Sequence, residues 1–223
     1  MNLVLTPIQI RVIGCLVEKE MTTPEYYPLS LNALTNACNQ KSNRDPVMEL
    51  EEPDVMRALD QLKEKKLITT VTMSSSRVLR YKHNMVSTYH FRSAEIAVLT
   101  LLFLRGPQTV GELRGRSGRM HQFESLDEVE ATLQKLATRE DGPFVVQLPR
   151  EPGRRENRYA HLFGGKVKID QPAATPAVST THAPSPAPAE NERIVALEQE
   201  VSALRQELDE LKQAFGEFRE QFE

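Results

Sequence analysis

The first 165 residues of this 223-residue chain contain an internal repeat, and this repeat restricts the possible folds more than any other feature. Three apolar positions recur at a constant offset of 74 residues, as Val55/Val129, Leu59/Leu133 and Leu62/Leu136. A second pattern recurs near the end of each copy, as Arg80-Tyr81-x-His83 and Arg158-Tyr159-x-His161. Self-similarity of this kind indicates one supersecondary unit that occurs twice.

Each copy predicts three helices followed by a β-hairpin. In the first copy, Thr6-Pro7, Ser30 and Pro53 are helix-start signals. A β-rich run over 67–73, three serines and a second run over 78–81 predict two strands joined by a turn. The second copy predicts the same order of helices and strands, around 96–105, 110–116, 125–138, 144–148 and 158–163.

Three helices followed by a β-hairpin form the winged-helix arrangement. The predicted fold class is therefore mainly α with small β-hairpins (α+β), built as two tandem winged-helix domains over 1–88 and 89–169. His83 and His161 recur with the hairpin, which suggests a repeated structural role as partly buried, hydrogen-bonded side chains.

The remaining residues predict a linker and a coiled coil. Five prolines and many small residues make 170–190 an extended, disordered linker. Residues 191–223 carry a heptad pattern, with the predicted dimerisation positions Ile194, Leu197, Val201, Leu204, Leu208 and Leu211. Opposite charges would face each other in a parallel pair, as Arg193 with Glu198, Glu200 with Arg205 and Glu207 with Lys212. A parallel homodimer is predicted; the alternatives are a lone amphipathic helix on the body and a frayed tail.

Charge alone does not predict a nucleic-acid-binding protein. Residues 1–170 contain 24 Lys and Arg against 21 Asp and Glu, whereas 171–223 contain 4 against 10. A winged helix usually reads DNA with its third helix, but here both third helices begin with acidic residues. Their predicted outward positions are Asp54, Arg57, Asp60, Gln61 and Glu64 in the first copy, and Asp127, Glu128, Glu130, Ala131, Gln134 and Lys135 in the second.

Basic residues cluster instead beside the second helices and in the hairpins. The candidate nucleic-acid-binding residues are Lys41, Arg44, Arg77, Arg80, Arg114, Arg116, Arg119, Arg154, Arg155 and Arg158. Arg105 and Arg150 lie beside them in sequence. Such residues can hold phosphates without reading bases, which gives salt-sensitive and weakly specific binding. The alternatives are local ion pairs with carboxylates and an interface with the sister domain.

The polar block 36–44 is rich in amide side chains. Asn and Gln can read adenine edges, and Arg or Lys can read guanine. The same side chains can equally cap a helix end and hold a loop by local hydrogen bonds. Structural use is the favoured interpretation.

Several classes of function find no support in the sequence. No nucleophile, base and orienting group occur together, so an enzyme is not predicted, and neither a cofactor nor a metal site is indicated. The longest apolar run, 96–104, is far shorter than the ~20 residues that span a bilayer. Cys15 and Cys38 are too few for a disulfide framework, so a cytoplasmic location is expected.

Three sequence blocks resemble the YceH family of bacterial proteins. They are LSLNALTNACNQKSNRDPV at 29–47, LRGPQT with GELR at 104–114, and LPR, PGRR and RYAHL between 148 and 162. The resemblance covers about residues 6–165 and implies a tandem winged-helix protein of uncharacterised function. It supports the fold and leaves the activity open.

Two hypotheses about function follow. The first is a dimeric, regulatory, double-stranded DNA-binding protein that contacts phosphates through its Arg-rich wings and second-helix regions. The alternative is a protein-interaction scaffold that uses the winged-helix surfaces to bind a partner protein without DNA. The acidic third helices favour the scaffold, and the Arg clusters favour DNA.

Overall fold

The computed structural model describes residues 3–73, 76–151, 153 and 156–165, without the side chains of 73, 76 and 77. These residues belong to one compact unit, Met1–Pro172. The predicted linker over 170–190 and the predicted coiled coil over 191–223, with its dimerisation residues, lie outside the described residues.

The first half contains three main helices and a small sheet. Its elements are α1 (Pro7–Thr22), β1 (Leu29–Ser30), α2 (Leu31–Cys38), α3 (Glu52–Glu64), β2 (Ile68–Met73) and β3 (Ser76–His83). Two of the predicted helix starts are confirmed by capping hydrogen bonds. The Thr6 side chain accepts a hydrogen bond from the Gln9 backbone N–H, and Pro7 opens α1. The Ser30 side chain accepts one from the Ala33 N–H, which caps α2.

The second half repeats this order after a short connecting helix. Its elements are α4 (Met85–Tyr89), α5 (Ser93–Arg105), α6 (Val110–Ser117), α7 (Leu126–Thr138), β4 (Val145–Gln147) and β5 (Tyr159–His161). The side chains of Thr109 and Ser125 cap α6 and α7. Val129, Leu133 and Leu136 of α7 are buried, as are Val55, Leu59 and Leu62 of α3. The repeated apolar positions therefore form the core of each half.

The sheets show that the repeat extends further than the sequence predicted. β1, β3 and β2 form an antiparallel sheet in that order, with Leu29 opposite Tyr81. β4 pairs with β5, and an isolated bridge joins Gln108 to Tyr159. Leu29 and Gln108 each precede the residue that caps the second helix, so the bridge is the counterpart of β1. Two-residue β1 and five-residue α4 were not predicted because they are too short to show a periodicity.

The two halves are joined by close packing of α1 against α5. Gly14 allows this approach, because a Cβ there would lie 2.8 Å from Cδ2 of Leu104 and 3.1 Å from Cβ of Phe103. Two backbone hydrogen bonds support the contact, from the Asp45 N–H to the Leu104 carbonyl at 2.8 Å and from the Leu5 N–H to the Phe163 carbonyl at 2.7 Å.

Polar side chains also anchor α1 from inside the core. Arg11 is 1% exposed. It donates to the backbone carbonyls of Cys38 at 3.1 Å and Pro46 at 2.6 Å, which ties α1 to the segment after α2. The amide of the buried Gln9 donates to Gln61 on α3 at 2.6 Å. Because buried polar groups are costly without partners, these hydrogen bonds select one arrangement of the first half.

The two repeated histidines differ in their environments. The Nδ1 atom of His83 accepts a hydrogen bond from the Met85 N–H at 3.2 Å, and its Nε2 lies against a carboxylate oxygen of Glu20. This contact is the main reason why the pKa of Glu20 is lowered. His161 packs edge-on against Phe103, and its buried Nδ1 has no hydrogen-bond partner within the part of the chain that the structure describes. The prediction of a hydrogen-bonded histidine is therefore confirmed for His83 and wrong for Nδ1 of His161.

The coarse fold class is confirmed as helices combined with small antiparallel sheets. Each half has three main helices followed by two antiparallel strands. Among the described residues, no helix combines the length and the apolar character needed to cross a bilayer.

Candidate functional site

A cleft of about 740 Å³ lies where the two halves meet. It is bordered by the last turns of α1, the segment after α2, the end of α5, and α6 with the turn that follows it. The charged residues lining it are Glu18, Lys19, Lys41, Arg105, Arg116 and Arg119. We call this region the basic cleft. It brings together three predicted candidates, Lys41, Arg116 and Arg119, that lie up to 78 positions apart in the sequence.

Two arginines of the basic cleft are positioned by neighbouring side chains. Arg105, at the end of α5, donates to Oδ1 of Asn43 in the segment after α2. Arg116 on α6 donates to Oε1 of Gln108 at 2.8 Å and lies 3.2 Å from a carboxylate oxygen of Glu112. These contacts hold the guanidinium groups at the walls of the cleft.

Two other cations of the basic cleft are free to meet a ligand. Lys41 and Arg119 are exposed. Neither makes a hydrogen bond or an ion pair with any residue that the structure describes. Lys19 makes one long contact, 3.6 Å from Glu18. The exposed edge of the cleft is therefore positively charged.

The positive charges also act on one another. The pKa of Arg105 is lowered, first by burial and then by the nearby charges of Arg116 and Arg44. The guanidinium group keeps its charge, because arginine is not deprotonated in proteins. A lowered pKa means that the surroundings disfavour the charge, and a bound anion would favour it.

Arg44 does not act as predicted, because it lies inside the protein. Its side chain is 0% exposed and forms a paired contact with the Glu18 carboxylate, at 2.6 and 3.1 Å. It also donates to Gln40 at 2.9 Å and to the Ala37 carbonyl at 3.1 Å. A guanidinium group committed in this way has no surface to offer a phosphate. Its role is to hold the loop that carries Lys41.

The other predicted residues lie away from the basic cleft or outside the described side chains. Arg80 donates to the Pro28 carbonyl at 2.8 Å, and Arg114 on α6 donates to the Glu124 carbonyl at 2.9 Å. Arg158 lies 4.0 Å from a carboxylate oxygen of Glu151. The side chains of Arg77, Arg154 and Arg155 are outside the described part of the chain.

Sequence reasoning missed two members of the basic cleft. Lys19 was not named, and Arg105 was noted only as a neighbour of the second-helix cluster. The repeat offered no signal for either, because the cleft is formed by the contact of α1 with α5 and not within one copy. Only the order of the elements in three dimensions brings Lys19 beside Arg105.

The third helices present the acidic surfaces that the sequence predicted. On α3, Arg57, Asp60, Gln61 and Glu64 are exposed and Asp54 is partly exposed; on α7, Asp127, Glu130, Ala131, Gln134 and Lys135 are exposed and Glu128 is partly exposed. Asp54 also pairs with Arg57. Carboxylates in the first turn complement the helix dipole, and they disfavour the approach of DNA phosphates.

The polar block 36–44 supports local structure. The side chain of Asn39 both donates to the carbonyl and accepts from the N–H of Leu50, each at 2.8 Å. Asn36 donates to Asn32 one turn earlier at 3.2 Å. Together with the buried Arg44, these hydrogen bonds hold the long segment between α2 and α3. The structural interpretation of the block therefore accounts for most of its side chains.

Comparison with known proteins identifies relatives but no activity. Residues 5–154 match the family described as "Protein of unknown function, DUF480". A UPF0502 protein of Geobacter sulfurreducens is 53% identical over 100% of both chains, and one of Geotalea uraniireducens is 52% identical over the same extent. A UPF0502 protein of Aeromonas hydrophila is 51% identical over 90% of this chain and 91% of its own.

Proposed function

Since the chain belongs to the DUF480 family, whose description states no activity, we propose its function from its own surfaces: a tandem winged-helix protein that binds double-stranded DNA through phosphate contacts. Membership also confirms the resemblance to the YceH family that the three sequence blocks indicated. The proposal rests on the arrangement of the two halves and on the charge of the basic cleft.

The order of elements supports the winged-helix assignment. Each half has three helices followed by an antiparallel strand pair. In each half, a residue before the second helix also pairs with the returning strand, through Leu29 with Tyr81 and Gln108 with Tyr159. The strand pair of each half corresponds to the wing.

The free cations at the edge of the basic cleft carry the DNA proposal. Lys41 and Arg119 come from different halves, are exposed, and have no partner among the described residues. Arg114 and Arg116 extend the positive surface along α6. Contacts of this kind are made to the phosphate backbone and give binding that is weakly specific and sensitive to salt. The acidic first turns of α3 and α7 make reading by the third helix unfavourable.

A second copy of the chain completes the proposal. The heptad positions from Ile194 to Leu211 would form a parallel dimer, which places two basic clefts in one assembly. Linking two binding surfaces raises the apparent affinity without any new contact. The wing residues Arg77, Arg154 and Arg155 would add phosphate contacts. We propose a regulatory role and no catalytic one.

Fluorescence anisotropy with random duplex DNA at several salt concentrations tests the DNA proposal. Exchange of both Lys41→Gln and Arg119→Gln removes two phosphate contacts. The slope of log K against log salt should fall by about 2, because each contact accounts for about 0.9 of the slope. Binding should weaken equally on all sequences.

A matched double variant on α3, Arg57→Gln with Lys63→Gln, removes the same charge from a surface that the proposal leaves unused. It should bind as the unchanged protein does. Equal weakening by both pairs would show that only net charge matters, and no binding at low salt would overturn the proposal.

The acidic third helices favour a second candidate function, a scaffold for a partner protein. The exposed Leu126 lies at the start of α7 beside Asp127, and the exposed Val78 and Leu79 lie on β3. The pairing of Leu126 with the Asp127 carboxylate is suited to a basic, partly apolar protein surface. Loss of DNA binding at low salt would make this function the leading one.

A further inference from the structure

The interior of the basic cleft has the size of a small-molecule site. Its volume of about 740 Å³ lies within the range of about 300–1,000 Å³ that is typical of ligand pockets. A DNA duplex is too wide to enter such a space, so it would contact only Lys41, Arg119 and the α6 arginines at the edge. The interior of the cleft is therefore a site separate from the edge that would contact DNA, and it can take a different ligand.

The walls of the interior combine charged, polar and apolar groups. Arg105 lies on one side, positioned by Asn43. Met120 supplies partly exposed apolar surface, and the buried Leu101 and Leu104 form the floor of the space. The hydroxyl groups of Thr22 and Ser42 and the amide of Gln40 also line the space. This combination suits a ligand that has both an anionic end and a flat, partly apolar end.

The balance of charge within the cleft favours an anion. Five cationic side chains and one carboxylate line it. That carboxylate, Glu18, is engaged by the buried Arg44 at 2.6 Å. Glu112 on α6, which is outside the lining, pairs with Arg116 at 3.2 Å. The charges of Lys41, Arg105 and Arg119 thus have no acidic partner among the described residues. The repulsion between these three cations costs electrostatic free energy, and a bound polyphosphate would offset that cost.

We propose that the basic cleft binds a nucleoside di- or triphosphate between the two halves. Lys41, Arg105 and Arg119 would hold the phosphates, and the ring would pack against Met120 over the floor formed by Leu101 and Leu104. Because Lys41 and Arg119 also serve the proposed DNA surface, the nucleotide would compete with duplex DNA. Only this competition rests on the proposed function; nucleotide binding itself does not.

Isothermal titration calorimetry on the full chain at low salt tests the proposal, with ADP, pyrophosphate and adenosine as separate probes. ADP should bind at least tenfold more tightly than pyrophosphate, which lacks the ring, and than adenosine, which lacks the phosphates. Arg105→Gln should weaken ADP binding at least tenfold. Arg119→Gln should weaken it as well, and its exposed position keeps the test valid if Arg105→Gln does not fold.

Arg57→Gln on α3 is the matched control and should bind ADP with unchanged affinity. A dissociation constant above 1 mM for all three probes would overturn the proposal. Equal affinities for ADP and pyrophosphate would overturn the ring contact, and an undiminished affinity in both cleft variants would overturn the location.

Displacement of a labelled duplex by ADP separates this proposal from the proposed function. ADP binding without any DNA binding would retain the nucleotide site and reject the DNA function. DNA binding without ADP binding would retain the DNA function and reject the nucleotide site. Binding of both without displacement would reject the shared use of Lys41 and Arg119.

Discussion

The two halves of the molecule share one plan but use their polar residues differently. In the first half, the segment between α2 and α3 runs from 39 to 51 and is held by the buried Arg11 and Arg44. In the second half, the segment from 118 to 125 makes the same connection with eight residues; it contains the exposed Arg119 and follows the exposed Arg116. The comparison shows that both copies retain the helix caps and the core positions. The arginines near the end of the second helix differ, because Arg44 is buried in the first copy whereas Arg116 and Arg119 are exposed in the second.

The largest expected effect concerns this division of the arginines. Arg44→Met should lower the free energy of unfolding by about 3 kcal/mol, because it leaves Glu18, whose side chain is 14% exposed, and the Ala37 carbonyl without their main partner. Arg116→Met should lower it by less than about 1 kcal/mol, since that side chain is 37% exposed and solvent screens its pair with Glu112. Urea denaturation followed by circular dichroism measures both. Similar losses in the two variants would break the distinction between supporting and surface arginines.

One of the two repeated histidines, His161, gives an intermediate effect that depends on pH. Burial lowers the pKa of His161 to about 4, whereas an unfolded histidine titrates near 6.5. The unfolded state therefore takes up a proton between these values and the folded state does not, so stability present above pH 6.5 is lost as the pH falls towards 4. From pH 7 to pH 5 the loss through His161 should be about 2 kcal/mol.

His161→Leu removes this titration. Its free energy of unfolding should fall by about 2 kcal/mol less between pH 7 and pH 5 than that of the unchanged protein. His90→Asn, at an exposed position with a positive φ of 53°, is the control because Asn tolerates that backbone conformation. An unchanged pH dependence in His161→Leu would show that His161 titrates in the folded protein as it does in the unfolded chain.

The smallest expected effect tests how far the halves are alike. Ser30 and Thr109 cap equivalent helices, with hydrogen bonds of 3.3 and 3.2 Å to the N–H groups of Ala33 and Glu112. Ser30→Ala and Thr109→Ala should each cost about 1 kcal/mol. Thermal unfolding of both variants measures this. A much larger loss in one of them would show that its half depends more strongly on the second helix.

Sequence reasoning predicted what is local and missed what is tertiary. Thr6, Ser30 and Pro53 predicted three helix starts because capping depends on residues within one turn. Val55 and Val129 predicted the core because burial of a helix face repeats with the helical period. The interior position of Arg44 was missed, since the spacing of a loop residue contains no information on burial. Lys19 and Arg105 were missed as a pair because their proximity depends on the packing of α1 against α5.

The contact at Gly14 also limits how far the two halves can move relative to each other. The axes of α1 and α5 approach so closely that even one additional carbon atom at Gly14 would meet Leu104 at 2.8 Å. Such close packing resists a change in the angle between α1 and α5, so the backbone around Lys41 in one half is held near the backbone around Arg119 in the other. On the proposed function, a ligand that bridges the two halves would therefore be accommodated by the long, exposed side chains of Lys41 and Arg119 and not by movement of one half against the other.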